Sequence, residues 1–80
     1  MEKTIKFIWD YYGEPAAKTA EHHSIHLMEF AKAKELKIQK TGWEELKENR
    51  AIAFILLPEN DAKNLKDILR PNRAEYFKEK

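Results

Sequence analysis

Ala51-Ile52-Ala53-Phe54-Ile55-Leu56-Leu57 is apolar at every position and is closed by Pro58. A half-exposed strand or an amphipathic helix would interrupt such a run with polar residues. It therefore reads as a strand covered on both faces and central in its sheet. Just before it, Lys47-Glu48-Asn49-Arg50 is polar, and Asn49 tolerates the left-handed backbone that tight turns need. Lys37 to Leu46 alternates imperfectly around Gly42, with Trp43 as its large apolar anchor, which is the pattern of a bulged or edge strand. The two segments predict a hairpin.

Upstream, Ile5, Phe7, Trp9 and Tyr11 alternate with Thr4, Lys6, Ile8, Asp10 and Tyr12, the period of a strand over Thr4 to Tyr12. Gly13-Glu14-Pro15 breaks it, and Pro15 suits the opening turn of a helix because its missing N–H would be unpaired there. From Ala16 to about Leu36 no Gly or Pro intervenes, and good helix formers dominate. Wound at about 100° per residue, Ala16, Ala20, Leu27 and Ala31 form one stripe flanked by His23 and Phe30. Ile25, Met28 and Leu36 fall away from that stripe, as a patch that could meet another protein. After the hairpin, Asn60 or Asp61 is positioned to cap a shorter helix with Ala62, Leu65, Ile68 and Leu69 on one face, stopped by Arg70-Pro71. The tail from Arg73 to Lys78 fits either a short edge strand or a helical turn.

The order strand, helix, strand, strand, helix and an optional last strand is the split βαβ, ferredoxin-like α+β order, βαββα(β). It places the first and third strands, the two most apolar segments, in the middle of an antiparallel sheet with both helices on one face. With 80 residues, positions 1–80 make one domain. The second face of the central strands then needs its own cover. A second copy packed sheet against sheet is the simplest one, which predicts a homodimer.

Composition narrows the function classes. Fifteen Lys and Arg stand against 14 Asp and Glu, for a formal charge of +1, which removes the broad basic field of a non-specific DNA binder. No cysteine is present, so neither disulfides nor a thiolate metal site is expected. No apolar run approaches the roughly 20 residues of a membrane span, and MEKTIKFIWD is not built like a signal peptide. A soluble, cytoplasmic protein without a cofactor is the resulting expectation.

All three histidines lie in Glu21-His22-His23-Ser24-Ile25-His26. His22 and His26, one helical turn apart with Glu29 near the same stripe, are a candidate zinc or other transition-metal site. The plainer reading is a polar helix flank with His23 packed at the core edge. Histidine also suits acid–base work near neutral pH, with Asp10 orienting it and Trp9, Tyr11 and Tyr12 walling a pocket. Arg50 to Ile55 echoes the third-strand motif of RNA-recognition domains but lacks its glycine and one stacking aromatic, so the echo reports the fold rather than a nucleic-acid site.

FIWDYYGEPA, EHHSIHLMEFAKAKEL and AIAFILLPEN, in that order, resemble the dimeric α+β barrel proteins, and among them the YciI-related proteins and similar small domains of unknown function. Asp10 near a strand end, His26-Leu27 on the first helix and the apolar run Ala51 to Leu57 carry the resemblance. Arg70-Pro71 stands where that family often has Asp-Pro. The resemblance implies a homodimer around an interior that holds a small ligand, with His26 and Asp10 as the catalytic pair. The leading expectation is a homodimer binding a small, partly apolar or aromatic ligand through Trp9, Tyr11, Phe54 and His26. The alternatives are an enzyme in which His26 is the general acid or base with Asp10 fixing its tautomer, and an interaction module for another protein.

Overall fold

A computed structural model describes residues 3–36 and 40–77. The strands and helices run β1 (Thr4–Tyr12), α1 (Ala16–Ala33), β2 (Lys40–Lys47), β3 (Arg50–Pro58), α2 (Glu59–Leu69) and β4 (Arg73–Phe77). The four strands form one antiparallel sheet in the order β2-β3-β1-β4, so the two most apolar strands are central, as the ferredoxin-like order requires. The undecided tail is a strand, pairing Ile5 with Tyr76 and Phe7 with Ala74. Lys37 to Gln39, assigned above to the second strand, and Lys78 of the tail lie outside the described residues.

Register divides the sheet into two faces. On one, Ile5, Phe7, Trp9 and Tyr11 of β1 sit level with Leu57, Ile55, Ala53 and Ala51 of β3, beneath the helices. α1 lies on this face through Ala16, Ala20, Ser24, Leu27 and Ala31. Its first half sets Ala16 and Ala20 on Ala51 and Ala53, and these small side chains let the backbones approach closely. Ser24 completes the stripe where only apolar residues were expected. Its hydroxyl donates to the Glu21 carbonyl at 2.7 Å, which removes the cost of burying it.

α1 ends three residues earlier than expected because Glu35 turns into the left-handed region. The Glu35 N–H donates to Lys32 O and the Leu36 N–H to Ala31 O, which is a Schellman closure. It returns Leu36 to the core, so the expected outer patch of Ile25, Met28 and Leu36 shrinks to Ile25 and Met28. α2 also starts differently. Pro58, not Asn60 or Asp61, occupies the cap, and the Glu59 N–H is satisfied by Lys3 O at 2.8 Å. Glu59 and Asp61 then complement the helix dipole in the first turn.

The hairpin turn uses Asn49 at φ 61°, as expected. The irregularity of β2 falls at Leu46, between the paired residues Glu45 and Lys47, rather than at Gly42. Gly42 has a different role. The Phe54 ring lies on it, and a Cβ there would stand 2.9 Å from Phe54 Cζ.

That ring belongs to the second sheet face, which also carries Ile8, Ile52 and Leu56. The expectation that this face is left wet in one chain is corrected. Ile8, Ile52 and Leu56 are only 2%, 4% and 6% exposed. Lys6 holds its ammonium 4.7 Å above the Phe54 ring centre, and Arg73 lies along the strip to reach Asp10. Two long charged side chains thus lie against this face, their heads on the Phe54 ring and on Asp10.

Candidate functional site

β1 delivers the sequence-nominated residues to places that do not coincide. Trp9 and Tyr11 face the helices, whereas Phe54 and Asp10 face the opposite side of the sheet. His26 stands on the solvent side of α1, its side chain 75% exposed, with Nδ1 3.4 Å from Glu29 Oε1. Asp10 accepts from Arg73 Nε at 3.1 Å and Nη2 at 3.0 Å, and its own N–H donates to Asn72 Oδ1. His26 and Asp10 therefore have separate partners on opposite sides of the sheet, and the acid–base pair does not form. Trp9, Tyr11, Phe54 and His26 likewise line no common pocket. Among the described residues no three metal-ligating side chains come together, so His22, His26 and Glu29 do not assemble into a metal site.

His23 is the histidine that reaches the interior, as its place beside the apolar stripe implied. Its ring meets Trp9 edge-on at 4.6 Å between centroids, and its Nδ1 shares a hydrogen bond with the Tyr11 hydroxyl. Burial lowers the His23 pKa from its ordinary 6.5, and the charge of neighbouring His26 lowers it further. Burial also raises that of Tyr11. Both groups are therefore neutral near pH 7, and they share one proton between the phenol oxygen and Nδ1. Trp9 Nε1–H donates to the Leu69 carbonyl at the end of α2 at 3.2 Å. This end of the helical face is filled by the chain's own side chains.

The other end is open. α2 covers β3 and β1, and beyond it toward β4 a groove of about 200 Å³ remains, lined by Ile5, Phe7, Ala62 and Ala74 and rimmed by Glu59, Lys63, Lys66 and Tyr76. At about 20–30 Å³ per non-hydrogen atom it has room for roughly seven to ten such atoms. The Tyr76 hydroxyl donates to Glu59 Oε2 at 3.0 Å, and Lys3 stands 4.9 Å over the same ring. The hydrogen bond to Glu59, then that carboxylate's charge, then burial raise the Tyr76 pKa, keeping the phenol protonated.

None of these lining residues was nominated from the sequence. The strand period did put Ile5 and Phe7 on one face with Trp9 and Tyr11. Which end of that face stays uncovered depends on the short α2 and on β4 pairing at the edge, and neither is carried by periodicity.

Compared with family models, curated proteins and solved structures, the chain matches none. No helix among the described residues is long and apolar enough to cross a membrane.

Proposed function

We propose that the chain binds a small, partly apolar molecule in the α2–β4 groove, and that it works as a homodimer joined sheet face to sheet face. The observation that carries the first part is the groove: an apolar floor with a few polar groups at its rim, at about 200 Å³ smaller than a drug-sized pocket and so fitted to a ligand of few atoms. Binding is favoured over catalysis because His26 and Asp10, the residues an acid–base reaction would use, stand on opposite sides of the sheet, each beside its own partner. The test is an amide NMR titration with benzyl alcohol. Shifts gathered at Ile5, Phe7, Ala62 and Ala74, abolished by Ala74→Phe, support the reading. Shifts around Phe54 instead, or none at all, overturn it.

Register supports the dimer. Three rows cross the open face: Lys40, Leu56, Lys6 and Glu75; then Gly42, Phe54, Ile8 and Arg73; then Glu44, Ile52 and Asp10. A twofold axis along the middle row sets Lys40 over the partner's Glu44, Leu56 over the partner's Ile52 and Lys6 over the partner's Asp10. The rows of charge on this face are self-complementary under that axis, which is what an isologous contact needs. The like charges of the two Arg73 residues are offset by Asp10 and Glu75 beside each. Sedimentation equilibrium tests it: Lys40→Glu and Glu44→Lys each weaken the dimer, and the double swap restores it. A single-chain mass at millimolar concentration removes the dimer and leaves the groove standing.

A further inference from the structure

We propose that the ligand of the α2–β4 groove is an anionic amphiphile, a small aliphatic or aromatic carboxylate, with its body on Ile5, Phe7 and Ala74 and its head between Lys63 and Lys66. This deepens the groove reading and rests on it.

The argument begins with α2. Glu59, Ala62, Lys63 and Lys66 recur at helical spacing, so one stripe of the helix looks into the groove. Ala62 is the small residue of that stripe and leaves the floor open, while Lys63 and Lys66 stand one turn apart on the wall. Among the described residues no carboxylate lies within ion-pair distance of either ammonium. The acid of the rim is already engaged, since Glu59 accepts from Tyr76.

Charge therefore has a sign at this mouth. Two unmatched ammoniums face one occupied carboxylate, and Lys3 over the Tyr76 ring adds a third positive group nearby. A cationic ligand would meet repulsion from all three, offset only in part by the Glu59 carboxylate, which keeps its charge while accepting from the neutral Tyr76 phenol. A neutral one would forgo the charge-assisted bonds that two flexible ammonium donors offer. The apolar floor in turn disfavours a bare inorganic anion, which has nothing to bury there.

Octanoate, octanol, octylamine and acetate separate these terms in an amide NMR titration of the whole chain. Octanoate binds with shifts at Ala62 and Ala74, about five- to tenfold more tightly than octanol. Octylamine binds more weakly than octanol, and acetate does not perturb the groove. Lys63→Gln with Lys66→Gln brings octanoate down to the octanol affinity and leaves the melting temperature unchanged, because both lysines are exposed. Added salt erodes the octanoate preference but not octanol binding. Equal affinities for octanoate, octanol and octylamine, or no effect of the lysine changes, overturn the carboxylate assignment while the groove still binds. No groove shifts with any eight-carbon probe overturn the assignment and the groove reading together.

Discussion

Gly42→Ala tests whether one chain covers its own open sheet face. The new Cβ would stand 2.9 Å from Phe54 Cζ and 3.3 Å from Cε2, closer than carbon atoms tolerate, so the ring must swing away. Overpacking of this kind costs about 1–3 kcal/mol. Displacing the ring also gives up the Lys6 contact, worth about 0.5–1 kcal/mol. Against this, replacing glycine stiffens the unfolded chain and returns about 0.4–1 kcal/mol. The net loss is about 2 kcal/mol, within a span of about 0.5–3.5, which lowers the melting temperature of a domain this small by roughly 8–16 °C at the centre of that span. Urea unfolding of Gly42→Ala, Phe54→Ala and the double variant gives the decisive comparison. The clash disappears with the ring, so the double variant is less destabilised than the sum of the singles by about 1 kcal/mol. Gly42→Ala as stable as the parent, with strictly additive effects, would refute the account of this face.

Acidification should destabilise the fold through His23. Its folded pKa lies below 6.5, so its contribution is complete above about pH 6.5 and is lost as pH falls toward the depressed value. His26→Gln removes the second cause of the depression and shrinks the loss; a urea midpoint that stays flat from about pH 7.5 to 5.5 contradicts this. Leu57→Ala, at a fully buried position between α2 and the sheet, costs about 2–5 kcal/mol by the same assay. A double-mutant cycle on Asp10 and Arg73 yields a coupling of about 0.5–1 kcal/mol, and the corresponding cycle on Asp10 and His26 yields none. Zinc added to the chain leaves its melting temperature unchanged, since His22, His26 and Glu29 do not converge; a rise would mean the site forms after all.

The elements were legible because two signals agreed wherever one alone would have been ambiguous. Alternation in Thr4–Tyr12 and the unbroken apolar run in β3 each specify a strand, and the order of elements then places both in the middle. Asn49 announced its turn by its tolerance for positive φ. Side-chain chemistry that acts at a distance was not legible. Nothing local distinguishes Leu36 at the tail of an outward stripe from Leu36 folded back by Glu35, because the difference lies in one residue's φ. Gly42 reads as an irregularity in β2, and the reason for it, the Phe54 ring lying across it, sits twelve residues on.

The site was harder still, for the same physical reason. Histidines and an aspartate draw attention as chemistry-bearing groups, yet Asp10 spends its charge on Arg73 and His26 pairs with its helical neighbour Glu29. The groove is built from residues that are ordinary singly: two alanines, a phenylalanine, an isoleucine, two lysines, a glutamate and a tyrosine. It exists because α2 ends its coverage before β4 begins, which is a property of packing, not of any motif.

Intermolecular NOEs between octanoate and the isotope-labelled chain test the central claim most directly. The account predicts cross-peaks from the alkyl chain to the Ala62 and Ala74 methyls and to the Phe7 ring. Cross-peaks to Ile8 and Phe54 on the opposite side of the sheet, or to Ile25 and Met28 on the outside of α1, would contradict it.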